Sequence, residues 1–203
     1  MSLDYSFERA AMAAGYRHVC GVDEAGAGPL MGPVYAAAVI LPEDCEIPGL
    51  DDSKKLTEKR REALFPVICE TAVAYAVAFA TEQEIDEINI LNARMLAMQR
   101  AIDALSVKAD FALIDGNRNG GIRLPNQTLV HGDARSVSIA AASVLAKVSR
   151  DRFVVDVLDK QYPQYAFAKH KGYGTKLHYE MLDAYGPSPV HRKSFLKKWE
   201  AKR

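Results

Sequence analysis

Asp23 and Glu24 stand side by side in an otherwise apolar run, Val19-Cys20-Gly21-Val22-Asp23-Glu24-Ala25, and the glycine-rich stretch Gly26-Ala27-Gly28-Pro29-Leu30 follows them. Two carboxylates in a desolvated strand need a cation or a hydrogen-bond network to be tolerated. Neighbouring residues of a strand face opposite sides, so one of the pair must point to a covered face. Two more acids close apolar runs: Asp115 ends Phe111-Ala112-Leu113-Ile114, and Asp133 lies just beyond Thr128-Leu129-Val130. If these strands are neighbours in one sheet, four carboxylates collect in one small area. Their mutual repulsion would raise several pKa values and oppose folding. A pair of divalent cations removes that cost, and Mg²⁺ suits a few carboxylates together with water and phosphate oxygens. Two ions about 4 Å apart can activate a water and stabilise the leaving oxygen of a phosphodiester. Taken singly, Asp115-Gly116-Asn117 also reads as an ordinary turn and Asp133 as a residue that helps cap the next helix.

The glycines do not form a dinucleotide fingerprint. Gly26, Gly28 and Gly32 lack the G-x-G-x-x-G spacing, and Pro29 and Pro33 lead into a strand, not a helix. The segment reads as exposed backbone N–H groups facing a phosphate or ribose. Lys169-His170-Lys171-Gly172-Tyr173-Gly174-Thr175 puts charge, a pliable backbone and one aromatic ring into a short loop. Such a loop suits phosphate contact and stacking on a sugar or base; Tyr173 as a lid on the core is the other reading. Lys54-Lys55 with Lys59-Arg60-Arg61 forms a second basic cluster, equally readable as a solvated helix start. His191-Arg192-Lys193 with Lys197-Lys198 reads either as a guide for nucleic acid or as a soluble tail.

The elements that must position these residues follow from pattern. A short amphipathic helix over about 4–14 ends at Gly15. Strands over 18–24 and 34–41 share a connection short enough for antiparallel neighbours. Asp52-Ser53 is placed to cap a helix over about 57–71. Residues 72–80 alternate as a strand, and Leu91, Met95, Met98, Ile102 and Leu105 have the spacing of a helix over 90–106. Short strands at 111–116 and 128–130 precede a long helix over about 138–159. A helix over about 175–185 ends at the break Gly186-Pro187-Ser188-Pro189, beyond which lies a basic tail. The pattern predicts an α/β fold, a mixed sheet with helices against it.

The 203 residues suit one well-buried domain, 1–203, with about 160–203 as a helical, basic C-terminal extension. The net charge is zero but uneven. Residues 1–146 carry 13 Lys+Arg against 20 Asp+Glu, and residues 147–203 carry 13 against 6. The basic C-terminal quarter suits a polyanion, or else scattered solvated lysines. Three cysteines, Cys20, Cys45 and Cys69, form no CxxC pattern, which argues against a disulfide framework or zinc site and fits a reducing, cytoplasmic setting. The N-terminus lacks an apolar h-region, so no signal peptide is expected, and no run is long enough to span a membrane.

Several segments together resemble bacterial ribonuclease HII: GVDEAG-x-GPLMGPV at 21–34, DDSKKLTEKRR at 51–61, EIDEINILNARMLAMQRA at 84–101, ALIDGN at 112–117, HGDARSVSIAAASVLAKVSRD at 131–151, FAKHKGYGT at 167–175 and GPSPVHRKSF at 186–195. They run in order over nearly the whole chain, and the segment before Gly21 has no room for the additional N-terminal domain of the related ribonuclease HIII. The resemblance implies an RNase H-like fold, a five-stranded mixed sheet flanked by helices with a C-terminal helical extension. It implies cleavage of the RNA strand in RNA/DNA hybrids and incision 5′ of ribonucleotides embedded in duplex DNA, leaving 5′-phosphate and 3′-hydroxyl ends. Asp23, Glu24, Asp115 and Asp133 would be the catalytic carboxylates holding two divalent cations, Mg²⁺ or Mn²⁺, with Asp23 bridging them. Tyr173 would stack on the sugar that follows the ribonucleotide. Gly26 and Gly28 would use backbone groups near the 2′-hydroxyl, and Lys54 and Lys171 would contact phosphates.

One residue departs from the family pattern. Ala27 stands where the family has arginine between two glycines, which keeps the backbone donors but removes a guanidinium able to clamp phosphate. Two other readings therefore stand beside the leading one: a hybrid-binding protein with impaired catalysis, and another nuclease on the same fold. No sliding-clamp motif is read in the chain, which leaves such a partner open, and a monomer is expected.

Overall fold

In the computed structural model, which describes residues 3–201, the run Val19–Ala25 is the central strand β1. It pairs antiparallel with β2 (Val34–Ile40), as the short connection predicts. β3 (Ala74–Ala80) continues the sheet beyond β2, antiparallel to it. On the other side of β1 lie β4 (Phe111–Asp115) and then β5 (Asn126–Leu129), both added in parallel. The order β3-β2-β1-β4-β5 places β1 in the middle. Parallel β1 and β4 end at the same edge, which is why Asp23 and Asp115 come together. Met1, Ser2, Lys202 and Arg203, the outer ends of the domain expected over 1–203, lie outside the described residues.

Both faces of the sheet are covered, and every residue of β2 is buried, as expected for a central strand with helices on each side. On one face, α3 (Glu82–Asp103) packs Ala93, Ala97, Met98 and Ala101 against Cys20, Val22, Ala36 and Ala38. On the other, α4 (Val137–Phe153) packs Ala141, Val144 and Leu145 against Ala37 and Val39, joined by Leu64 and Ile68 of α2 (Glu58–Thr71). α4 sits almost in contact with the backbone of β1. A Cβ at Gly21 would lie 2.1 Å from the carbonyl carbon of Ser138, so only glycine fits there. The short helix α1 (Ser6–Ala13) packs Ala11 into a cluster with Val19 of β1, Leu113 of β4 and Ile139 of α4.

Three local expectations are corrected. Thr57, not Asp52-Ser53, caps α2, its side chain accepting from the N–H of Arg60. Asp52 instead accepts from the N–H of Lys54 at 2.8 Å and forms the turn that presents that lysine. α3 begins at Glu82, well before the expected 90, because Thr81 and Glu84 form a capping box. Asn89 then takes a left-handed φ of 65° and its side chain accepts from the N–H groups of Leu91 and Asn92, so the expected start marks only the second segment. Finally, β5 stops at Leu129 and Asp133 lies in a 3-10 turn, Gly132–Ala134, while Ser136 caps α4.

The C-terminal extension is helical, as expected. α4 runs on through a π turn (Val154–Leu158) into α5 (Asp159–Gln161). α6 (Phe167–His170), α7 (Lys176–Tyr185) and α8 (Lys193–Glu200) follow, with α7 ending before the Gly186 break. Residues 190–200 of the expected tail are therefore part of the fold.

Candidate active site

Asp23, Asp115 and Asp133 each bring a carboxylate oxygen within 4.8 Å of the others. Asp23 comes from the end of β1, Asp115 from the end of β4, and Asp133 from the turn after β5. Asp115 Oδ1 accepts from the N–H of Gly132 at 2.7 Å and of Asp133 at 3.4 Å, so it ties the β4 end to that turn. This is more than an ordinary turn after a strand. Burial, then the charges of Glu24 and Asp115, push the Asp23 carboxyl well above the usual carboxylate range. Burial and then the Asp133 charge push Asp115 up as well, against the donated N–H groups.

Glu24 stands slightly apart from this trio. Its Oε1 is paired with Arg94 Nη2 of α3 at 2.6 Å, while its buried Oε2 has no hydrogen-bond partner. Burial raises its carboxyl, and Arg94 opposes that shift without cancelling it. Arg94 carried no signal in the sequence beyond one more charge on a helix, because the pairing depends on the kinked packing of α3 against β1.

An oxygen-only donor set, crowded enough to raise its own pKa values and holding one orphaned buried oxygen, fits a hard divalent cation such as Mg²⁺ or Mn²⁺. Lys54 brings a positive charge to the aspartate trio. Its Nζ lies 2.7 Å from Asp133 Oδ2, and its side chain is 74% exposed. Although its burial works the other way, the hydrogen bond and charge of Asp133, with Asp23 and Asp52, hold its pKa above the ordinary lysine value. Sequence reasoning assigned it to phosphate; the structure also ties it to the carboxylates.

Asp23 and Glu24 open into a cleft of about 380 Å³ whose other lining includes Gly26, Ala27, Gly28, Lys54, Arg61, Lys147 and Tyr173. A larger hollow of about 480 Å³, beside α1 and residues 44–50, contains no part of this cluster. Tyr173 is 43% exposed, with Lys147 Nζ and the Arg150 guanidinium each 5.7 Å from its ring centre. It stands beside Gly28 in the cleft wall, so it is an open ring on a cationic base, not a lid over the core. Gly26 has a φ of 92°, and a Cβ there would lie 2.6 Å from Arg150 Nε. Ala27 is half-buried in the same wall. Lys171 is placed differently: its ammonium faces Glu58 at 3.8 Å, and its carbonyl accepts from Arg150 Nη2 at 2.6 Å.

The basic tail resolves into something neither sequence reading anticipated. His191 and Arg192 are buried. Arg192 donates to the carbonyls of Gly26, Ala27, Pro29 and Gly32, and so holds the glycine-rich turn from behind. Arg61 was one charge among several; its Nη1 donates to the carbonyls of Ser53 and Leu56 and braces the Lys54 turn.

Comparison with known proteins bears on the family and the fold. The family profile described as Ribonuclease HII matches residues 20–198. Ribonuclease HII of Caldicellulosiruptor saccharolyticus is 52% identical over 193 residues, 95% of this chain and 94% of that protein. The enzyme of Dechloromonas aromatica is 58% identical over 177 residues, 87% of this chain and 90% of its own. Among solved structures, the ribonuclease H2 of Pyrococcus horikoshii superposes with a TM-score of 0.73 at 27% identity, covering 92% of this chain and 98% of that one. An RNase HIII solved with Mn²⁺ shares the fold, with a TM-score of 0.65 at 21% identity over 95% of this chain and 72% of its own. The described residues include no helix long and apolar enough to cross a membrane. The chain belongs to the ribonuclease HII family, metal-dependent endonucleases.

Proposed function

We propose that the protein cleaves the RNA strand of RNA/DNA hybrids and incises 5′ of ribonucleotides embedded in duplex DNA, leaving 5′-phosphate and 3′-hydroxyl ends. The observation that carries this reading is the meeting of Asp23, Asp115 and Asp133 within 4.8 Å, with Asp23 also lining a cleft walled by the glycine turn and Tyr173. Asp23, Asp115 and Asp133, with Glu24 through its free Oε2, would hold two divalent cations. When bound, these supply the activation of the attacking water and the stabilisation of the leaving 3′ oxygen. The chain does the rest by position. Arg94 holds the Glu24 carboxylate in one orientation. Lys54 and Lys147 line the cleft, paired with Asp133 and Asp151, and would meet a phosphate backbone from there. Tyr173 presents an open face on which a sugar can stack, and the turn Gly26-Ala27-Gly28 brings backbone close to the strand. Hydrolysis by an activated water needs no side-chain nucleophile.

A hybrid-binding protein with impaired catalysis remains the second reading, favoured by one feature: Ala27 leaves the wall without a guanidinium at that point. Incubating a duplex bearing one ribonucleotide with saturating protein and Mg²⁺ or Mn²⁺, beside an all-DNA duplex of the same sequence, separates the possibilities. Cleavage of the ribonucleotide substrate alone is the expected result. An intact ribonucleotide duplex would leave only the binding reading, and equal cleavage of both would point to another nuclease on this fold. An archaeal RNase HII, from Archaeoglobus fulgidus, has been solved in complex with PCNA and superposes with a TM-score of 0.68 at 23% identity, covering 87% of this chain and 94% of that one. A sliding clamp is accordingly a partner to test for by co-purification with this chain.

A further inference from the structure

Arg192 is fully buried, 0% exposed, and forms no ion pair among the described residues. Its partners are four carbonyls of one turn. Nε donates to Gly32 O at 2.9 Å, Nη1 to Ala27 O at 3.1 Å and Pro29 O at 2.8 Å, and Nη2 to Gly26 O at 2.7 Å. The backbone adds to this grip. Arg192 N–H donates to Leu30 O at 2.9 Å, Gly32 N–H to Val190 O at 2.8 Å, and Met31 bridges His191 in antiparallel fashion. The C-terminal extension thus clasps residues 26–32 with both main chain and side chain.

Peptide planarity turns this clasp into a statement about donors. In a trans peptide the C=O of one residue and the N–H of the next point in opposite directions, and the described residues contain no cis peptide. With Gly26 O and Ala27 O aimed at the guanidinium, the N–H groups of Ala27 and Gly28 must aim away from it. Neither finds an acceptor among the described residues, and both residues line the carboxylate cleft. The third peptide obeys the same rule: Pro29 O faces Arg192, and Leu30 N–H turns to Gly172 O at 2.8 Å. Two adjacent backbone donors with a guanidinium behind them that no carboxylate bonds directly form a small receptor for an oxygen acceptor.

We propose that Arg192 is a positioning residue that aims the Ala27 and Gly28 N–H groups at an oxygen of the ribonucleotide-bearing strand. The inference rests on reading the cleft as that of a hybrid nuclease. A residue of the extension, 165 positions from Ala27, is thereby the organiser of strand recognition. The receiving oxygen belongs either to the ribose 2′-hydroxyl or to the adjoining phosphate, and substrate choice tells them apart.

The test compares wild type with Arg192→Lys, which keeps the charge but cannot span four carbonyls. Binding is read by fluorescence anisotropy on duplexes with and without a single ribonucleotide, and Mn²⁺ binding is titrated separately by calorimetry. The expected result is unchanged Mn²⁺ affinity and a roughly tenfold weaker hold on the ribonucleotide duplex, the scale of losing about one well-made hydrogen bond. Loss confined to the ribonucleotide duplex assigns the 2′ oxygen, and equal loss on both duplexes assigns the phosphate. A variant that binds and discriminates like wild type overturns the proposal. A second readout avoids any folding defect of the variant: in the wild-type protein, the amide resonances of Ala27 and Gly28 should shift and exchange more slowly when the ribonucleotide duplex is added. Unmoved resonances with bound duplex also overturn it. Wild-type protein that neither binds nor discriminates these duplexes would instead remove the nuclease reading itself.

Discussion

Replacing one oxygen of Asp23 with nitrogen changes two quantities in opposite directions. Burial and the surrounding acids raise this carboxyl far above its unfolded value, so its ionisation opposes folding at neutral pH, and the penalty fades only as pH falls through the raised pKa. Asp23→Asn removes that charge while its remaining oxygen can still accept from the N–H of Glu24, which Asp23 holds at 2.7 Å. In chelator, the variant should melt above wild type, each ~1 kcal/mol recovered raising Tm by about 2–4 °C in a chain of this size. Its incision of ribonucleotide duplex should be nearly abolished, and divalent cations should no longer raise its Tm as they do for wild type. A variant with lower Tm in chelator, or near-normal incision, would remove Asp23 from the strained cluster. Ala27 invites the converse change. Ala27→Arg restores a guanidinium to the cleft wall and should tighten substrate binding by about 1–3 kcal/mol, the range for hydrogen bonds to charged groups. Unchanged Kd and KM would show that the position carries no grip in this chain.

At the scale of elements, the placement of Asp133 depends on how the start of α4 is anchored. Glu8 of α1 is fully buried. Its Oε1 accepts from Ser136 Oγ at 2.6 Å, Ser138 Oγ at 2.5 Å and Ser138 N–H at 3.0 Å. Those groups immediately follow the turn that holds Asp133. Glu8→Ala leaves the Ser138 N–H and one of the two hydroxyls without an acceptor, since Ser136 and Ser138 can still bond each other at 3.2 Å, and should cost about 2–3 kcal/mol in urea unfolding together with a fall in kcat. Glu8→Gln, which keeps an acceptor, should lose less of both. A loss of stability with kcat intact would separate the anchor from the site. The elements themselves were largely legible, because apolar length and period mark β1, β2, β4 and the second segment of α3 directly. Carboxylates closing apolar runs likewise pointed to Asp23, Asp115 and Asp133. What local pattern could not supply was long-range geometry. Glu8, Arg94 and Arg192 read as ordinary charges on amphipathic or basic segments, and their partners lie 130, 70 and more than 160 residues away. The first turns of α3 were missed because the left-handed Asn89 breaks the phase of its helical spacing.

Across the whole molecule, the basic excess of the C-terminal quarter is spent in two ways. Arg150 and Arg192 are buried behind the glycine turn and Lys147 is paired with Asp151, while Lys176 stays open to solvent. The same region buries three histidines whose neighbours define their tautomers. Ser188 N–H donates to His191 Nδ1, which leaves the His191 Nε2 proton for His178 Nε2 at 3.0 Å, and His178 Nδ1 then donates to the carbonyl of Tyr173. Gly172 N–H donates to His170 Nδ1, and His170 Nε2 turns to Tyr165 O. Each ring is therefore neutral, and a further proton would set two donors against each other. Burial lowers His178 and His191 to about 4, and lowers His170 as well. Since the unfolded chain protonates near the ordinary histidine value of about 6.5, the stability these rings contribute is complete above that pH and is lost as pH falls towards 4. Asp23, Glu24 and Asp115 act in the opposite sense, because their raised pKa values relieve repulsion as pH falls. Wild-type Tm in chelator between pH 6.5 and 4 therefore reports the difference of two slopes. Asp23→Asn lacks most of the relief and should fall more steeply than wild type across that window. Parallel curves would refute the carboxylate contribution, and a flat curve in the variant would refute the neutral histidine chain that links the Tyr173 loop to residues 188–191.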